Sequence, residues 1–267
     1  MKKLFWLVIS MLVLAAVLIG CETAPVAPTA APTAAPTENN EPAGTTAAPT
    51  MATEPAETED VEYEGDASSY YIDVVYAEQI ERYYNALSQK WDADAYLENE
   101  MSAMASYYYD GNPLDNLGFT FMDLDGDGVW ELIIGAILNA EQNPLVLEIW
   151  GLKNDEPVLL AQSGSHNRYY LQYAEEEELW SVAYEAENGA AKHAVYYLQL
   201  VAGEFKVIQG VVFDAVANEN APWFMAYDLD WDVSNDTPID EKTANAIIKT
   251  GRNIYTAVEY FPYCLYK

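Results

Sequence analysis

Positive charge is scarce in this chain. Twelve Lys and Arg residues stand against 43 Asp and Glu, a formal net charge of −31 over 267 residues. A surface of that sign repels nucleic acid and anionic lipid headgroups, so no nucleic acid is expected as a partner and cations are. Cysteine is scarcer still: Cys21 and Cys264 are the two present, which excludes a disulfide framework and a cysteine-rich zinc centre. Histidine is limited to His166 and His193. His166 lies in the turn-like string GSHNR near Ser163 and Ser165, without the glycines two residues either side of a serine that a nucleophile elbow requires. His193 opens a strand-like run beside Lys192 and reads as an exposed edge residue. There is no HExxH, no CxxC pair and no glycine loop leading into a helix. The sequence therefore recruits no nucleophile, zinc ion or phosphate cradle, and a non-enzymatic role is expected.

Long apolar runs are also rare. The longest, residues 4–19, is interrupted only by Ser10 and is short for a permanent membrane span. Lys2 and Lys3 precede it, so residues 1–20 have the anatomy of a secretory signal. The string Leu18-Ile19-Gly20-Cys21 that ends it resembles the bacterial lipobox. That resemblance implies cleavage before Cys21, lipidation of its thiol, and a protein anchored to the cell membrane on the extracellular or cell-wall side. Two or more acyl chains, at about 0.8 kcal/mol per buried methylene, make such anchoring stable. Residues 21–66 are mostly Ala, Pro, Thr and Glu, with repeats such as APTAAPT, and cannot bury enough surface to fold. Prolines bias such a segment to extended conformations, giving a disordered tether that reaches on the order of 100 Å at about 3 Å per residue.

The remainder, 67–267, reads as one α+β domain. Ile72, Tyr76, Ile80, Tyr83 and Leu87 recur at helical steps, and Leu97, Met101, Met104 and Tyr108 repeat the pattern after Asp92, a candidate N-cap. This predicts an N-terminal helix pair, stopped at Asp110-Gly111-Asn112-Pro113. Strand signals follow: GFTFM, WELIIGAIL, PLVLEIWGL, PVLLAQS, RYYLQYA, LWSVAYEAE, AVYYLQLV and FKVIQGVVFDA, several joined by links of hairpin length such as Ala202-Gly203. Consecutive strands with short links predict an antiparallel meander. A last helix is expected from Thr237-Pro238 or Asp240, with Thr243, Ala246, Ile247, Ile254 and Val258 facing the sheet and Gly251 as a possible break. Cys264, in the aromatic tail FPYCLYK, is expected to be a packed thiol, Cys21 being taken by lipid.

The stretch DLDGDGVWEL carries the most specific chemistry. Asp123, Asp125 and Asp127 alternate, so a tight loop can turn three carboxylates toward one centre, where they repel unless a hard cation lies between them. Gly128 stands at the sixth loop position, which needs a sharp turn; Val129 would offer its carbonyl from the seventh and Glu131 its carboxylate from the ninth. Calcium is the ion expected. The twelfth position, where an EF-hand carries Glu, is Ile134 inside an apolar run, so the loop is expected to join two strands and not two helices. It resembles the Asp-rich calcium loops of integrin-type propeller repeats, in which the ninth residue ligates directly. The string FTFMDLDGDGVWELIIG also looks like one found in uncharacterised lipoproteins of Gram-positive bacteria, a resemblance that covers about twenty residues and implies no activity. A second stretch, Asp228, Asp230, Asp232 and Asp236, repeats the first, third, fifth and ninth positions, but with Val233 at the sixth, where a β-branched residue resists positive φ.

These readings predict a surface-anchored lipoprotein with a mainly structural calcium loop at 123–131, acting as a binding or interaction protein. The alternative is a carbohydrate-binding or glycan-hydrolysing envelope protein, suggested by the external address and by Trp150, Trp180, Trp223 and Trp231 on or beside strands.

Overall fold

Apolar, β-branched and aromatic runs from Leu117 onward form an antiparallel sheet of eleven strands in the computed structural model, which describes residues 67–137, 144–175 and 178–267. The signal segment 1–20, the tether 21–66 and Cys21 lie outside the described residues. The strands are β1 Leu117–Met122, β2 Glu131–Ala136, β3 Leu145–Lys153, β4 Glu156–Gln162, β5 Asn167–Ala174, β6 Leu179–Glu187, β7 Lys192–Val201, β8 Glu204–Asp214, β9 Trp223–Ala226, β10 Thr237–Pro238 and β11 Phe261–Pro262. The first eight coincide with the eight sequence signals to within a few residues, and they follow one another as a meander in the order β10-β9-β8-β7-β6-β5-β3-β2-β1-β11. Two departures shape the sheet. β3 shares one edge between β5, at Leu145 and Val146, and β4, which takes Glu148 to Lys153. The chain also returns at its end to pair Pro262 with Gly118.

Both faces of the sheet bury apolar side chains. On one, Phe119, Leu132, Ile134, Leu147 and Tyr197 meet the helices; on the other, Ile133, Val146, Leu171, Val182, Val212 and Phe224 form a second cluster. Gly203, at the β7–β8 tip, lies beside the Leu152 carbonyl at the end of β3 although β5 and β6 stand between those strands, so the sheet curls. Both turns that meet there have consecutive left-handed residues, Asn154 and Asp155 in one, Ala202 and Gly203 in the other, as two-residue hairpins require.

The helices are α1 Ala67–Tyr70, running into a π turn at Tyr71–Val75, then α2 Ala77–Gln89, α3 Ala93–Glu98, α4 Pro113–Asn116 and α5 Glu241–Arg252. Asp92 caps α3 as expected, its Oδ1 accepting from Ala95 N–H at 2.9 Å. The second helix of the expected pair is cut short, however. Glu100 turns left-handed at φ 56°, and the chain resumes as a 3₁₀ turn at Ala103–Tyr108. Tertiary bonds explain the break: Ser102 donates its N–H to Glu148 at 2.8 Å and its hydroxyl to the Ser163 carbonyl at 2.7 Å. Asp240 caps α5 through Thr243 N–H. Its buried face is Ala244, Ile247, Ile248 and Gly251, so Thr243 and Ala246 point to solvent, contrary to the expectation. Gly251 does not break the helix; it admits the Tyr197 ring, whose hydroxyl would lie 2.2 Å from any Cβ placed there.

His193 also departs from its expected place. It sits inside the sheet between β6 and β8, half-buried, stacked on Phe213 at 4.6 Å with Trp223 edge-on at 5.5 Å. Burial lowers its pKa, so the ring is held neutral as packing material. Cys264 is partly exposed and not buried in the core.

Candidate metal site

The loop between β1 and β2 closes across the pair Met122 and Glu131, so both its ends are fixed by the sheet. Gly126 and Gly128 take φ of 76° and 88°, the left-handed turns for which glycine is suited. These turns fold the backbone amides inward onto the first carboxylate. Asp123 Oδ1 accepts from Gly126 N–H at 2.7 Å and from Asp127 N–H at 3.1 Å, and its Oδ2 accepts from Gly128 N–H at 3.0 Å. The Asp123 carboxylate is therefore held in one fixed position.

The structure brings three of the expected residues together: Asp123, Asp125 and Glu131 each place a carboxylate oxygen within 4.8 Å of the others. Asp127 is exposed and outside that group, with its Oδ1 on Val129 N–H at 2.7 Å. Val129 is half-buried and lines the cleft beside the loop.

Glu131 is the unusual member. It is 4 % exposed, and its Oε2 accepts from Leu124 N–H at 2.8 Å. Burial pushes its carboxyl up to about 7, with Asp125, Asp127 and Asp123 adding repulsion that the Leu124 amide only partly offsets. Among the described residues, no ion pair reaches these carboxylates. At an effective dielectric constant of about 20, two unit charges at such a separation repel by roughly 3 kcal/mol. One oxygen-seeking cation relieves all three pairs, so the donor set fits a metal ion, which the triad can hold.

An open cleft of about 370 Å³ adjoins the loop. Asp125, Asp127, Val129 and Glu131 form one wall, and the β3–β4 and β7–β8 turns, with Lys153, Asn154, Asp155 and Gly203, form the others.

The second acidic stretch is built differently. Asp228, Asp230 and Asp232 each accept from the amide two residues on, a ladder of local turns at 2.8 to 3.3 Å. Val233 is buried in the sheet's second cluster and starts a 3₁₀ turn, Val233–Asn235. Asp236 is raised to about 6, by burial first and then by Asp228, Asp230 and Asp232.

One buried carboxylate had no recognisable signal. Glu148, 1 % exposed in β3, accepts from Tyr83 Oη at 2.7 Å, Ser102 N–H at 2.8 Å, Trp150 Nε1 at 2.8 Å and Gln162 Nε2 at 3.1 Å. Four donors from four segments satisfy it without a cation, and they fasten the helices to the sheet. In sequence it is one acid in an apolar run, and its donors are scattered over eighty residues.

No family model matches this chain, and neither the curated proteins nor the solved structures contain a significant match to it.

Proposed function

We propose that this chain is a lipid-anchored bacterial surface protein whose domain carries one calcium ion in the 123–131 loop, with a structural and binding role and no catalysis of its own. The convergence of Asp123, Asp125 and Glu131 within 4.8 Å, at the end of a hairpin that fixes both loop termini, carries the reading. Calcium is favoured over magnesium because the donors are carboxylates and a carbonyl on an irregular loop, and calcium tolerates irregular geometry where magnesium demands a near-ideal octahedron. Asp127, through a bridging water, and the Val129 carbonyl would complete the shell. The anchor rests on the lipobox resemblance at Cys21 and the tether on the composition of 21–66.

Extracellular calcium modules bind at roughly 0.1 to 1 mM. At about ten times Kd the ion adds roughly 1.4 kcal/mol to the stability of the fold. The test is a thermal melt in calcium and in chelator, repeated with Asp125→Ala. Calcium is expected to raise Tm by several degrees in the wild type and not in the variant; equal melting temperatures throughout would remove the ion from the account. The glycan-directed alternative draws less support. Among the described residues, the cleft beside the loop is lined by carboxylates, Lys153, Val129, Leu152 and turn residues, with no aromatic ring for a sugar to stack on, and the six described tryptophans are all partly covered by neighbours.

A further inference from the structure

Trp130 lies between Val129 and Glu131, and two tyrosines from the start of the domain grip its backbone. Its N–H donates to Tyr71 Oη at 3.2 Å, and its carbonyl accepts from Tyr76 Oη at 3.0 Å. The rings reinforce those bonds. Trp130 stacks on Tyr71 at 5.3 Å and 25°, and Phe121 lies 5.7 Å from Tyr71 and 6.4 Å from Trp130. Tyr76 is fully buried and belongs to the core, whereas no residue of the π turn Tyr71–Val75 is buried. Segment 67–75 is seated on the domain through the partly buried side chains of Tyr71, Ile72 and Val75, and Tyr71 reaches the metal loop at Trp130. A single π turn is a rare backbone form that is found frequently at functional sites.

We propose that residues 67–75 form a strap whose docking responds to the ion in the 123–131 loop; the inference rests on the calcium reading above. The N–H that Tyr71 accepts from belongs to the same peptide unit as the Val129 carbonyl, and the carbonyl that Tyr76 holds belongs to the peptide leading into Glu131. An ion that draws in the Val129 oxygen and the Glu131 carboxylate fixes both planes and polarises the first N–H toward Tyr71. Ion and strap therefore favour the same loop conformation. Linkage makes the effect reciprocal: whatever calcium adds to strap docking, the docked strap adds to calcium affinity. In the sequence the strap follows directly on the Pro- and Thr-rich segment, so its release would lengthen the tether by residues 67–75.

The test combines hydrogen exchange and calorimetry on the full chain. Exchange of the peptide covering 67–76 is measured in calcium chloride and in chelator, and calcium is titrated into the wild type, Tyr71→Phe and Tyr71→Ala. Calcium is expected to slow exchange in this peptide by about tenfold. Tyr71→Phe, which keeps the ring and loses the bond to Trp130, should weaken calcium binding about threefold, and Tyr71→Ala about tenfold, with every ligand intact. Calcium binding with unchanged exchange in the strap and wild-type affinity in both variants would overturn the strap and leave the ion standing. No calcium binding by the wild type would overturn the ion and the strap together.

Discussion

Two stretches of this protein share a spacing of acids and differ in what they build. In 123–131 the sixth position is Gly128, with φ of 88° and open space where a Cβ would go; in 228–236 it is Val233, buried in the core of the sheet. Glycine lets the first loop wrap its amides around Asp123 and bring Asp123, Asp125 and Glu131 together. Valine commits the second to the core, and its carboxylates disperse along a ladder of local turns. The residue at the sixth position thus goes with convergence in the first stretch and with dispersal in the second. Spacing of acids alone is therefore a weak sign of a metal site; spacing together with a residue able to take positive φ is a stronger one.

Exchanging the residues at this position should have the largest effect. Gly128→Val meets no atom, so its cost is that of the backbone, about 1 to 2 kcal/mol for a β-branched residue at positive φ, and the loop that relieves this strain no longer gathers its carboxylates. Calcium affinity measured by calorimetry should fall by about a hundredfold, the upper end of the loss that follows when the groups orienting metal ligands are removed. The reciprocal change, Val233→Gly, should create no second site, because the local turns on Asp228, Asp230 and Asp232 remain, and should cost roughly 2 to 3 kcal/mol in denaturant melts through lost burial. A second bound ion in Val233→Gly would show that the valine alone blocks the site.

The next effect concerns Glu131, the member of the first loop with no equivalent burial in the second. A carboxyl raised to about 7 in the native state, from the ordinary 4.5, binds more protons folded than unfolded between those values. In chelator, then, stability is full below about pH 4.5, declines as pH rises, and levels off above 7. Calcium reverses the sense, since it binds the ionised form: affinity should rise about tenfold per pH unit up to roughly 7 and then flatten. Glu131→Gln keeps an acceptor for the Leu124 amide and removes the buried charge. It should stabilise the metal-free domain at pH 8 by about 1 to 3 kcal/mol, abolish the pH slope, and lose most of the calcium response. A variant less stable than the wild type in chelator at pH 8 would mean that the charge is satisfied by something other than an ion.

How much of this was legible in the sequence divides along the same line. The β1–β8 meander, the Asp92 and Asp240 caps and the Asp123–Glu131 pattern are local signals, carried by residues within one element or one turn. What was not legible depends on residues far apart in sequence. The break after α3 is imposed by Glu148 and Ser163, some 46 and 61 residues away. The buried face of α5 is set by where the Tyr197 ring lies, and His193 is interior because β8 and β9 arrive on its far side. The aromatic clamp on Trp130 is likewise invisible, since Tyr71 reads as an off-face residue of an amphipathic helix. Asp127 shows the limit of the local rule: it occupies a ligand position and its carboxylate rests on the Val129 amide.

The smallest effect lies in the second stretch and sharpens the contrast most finely. Asp236, raised to about 6 from the ordinary 3.8, is the nearest counterpart of Glu131, but it is only half-buried and its repelling partners face water. Its native form likewise holds extra protons between those values, so it takes stability away as pH climbs from about 4 to 6 and leaves it lower above. Solvent screening discounts the penalty, and Asp236→Asn should recover under about 1 kcal/mol at pH 7, a gain that shrinks further in high salt. If the stretch holds no ion, the variant binds calcium with the stoichiometry and affinity of the wild type, and the small gain in stability is the same with calcium and with chelator. A calorimetric titration in which Asp236→Asn lost one equivalent of calcium would place an ion among Asp228, Asp230 and Asp236 despite the valine, and positive φ at the sixth position would then cease to be the feature that separates the two stretches.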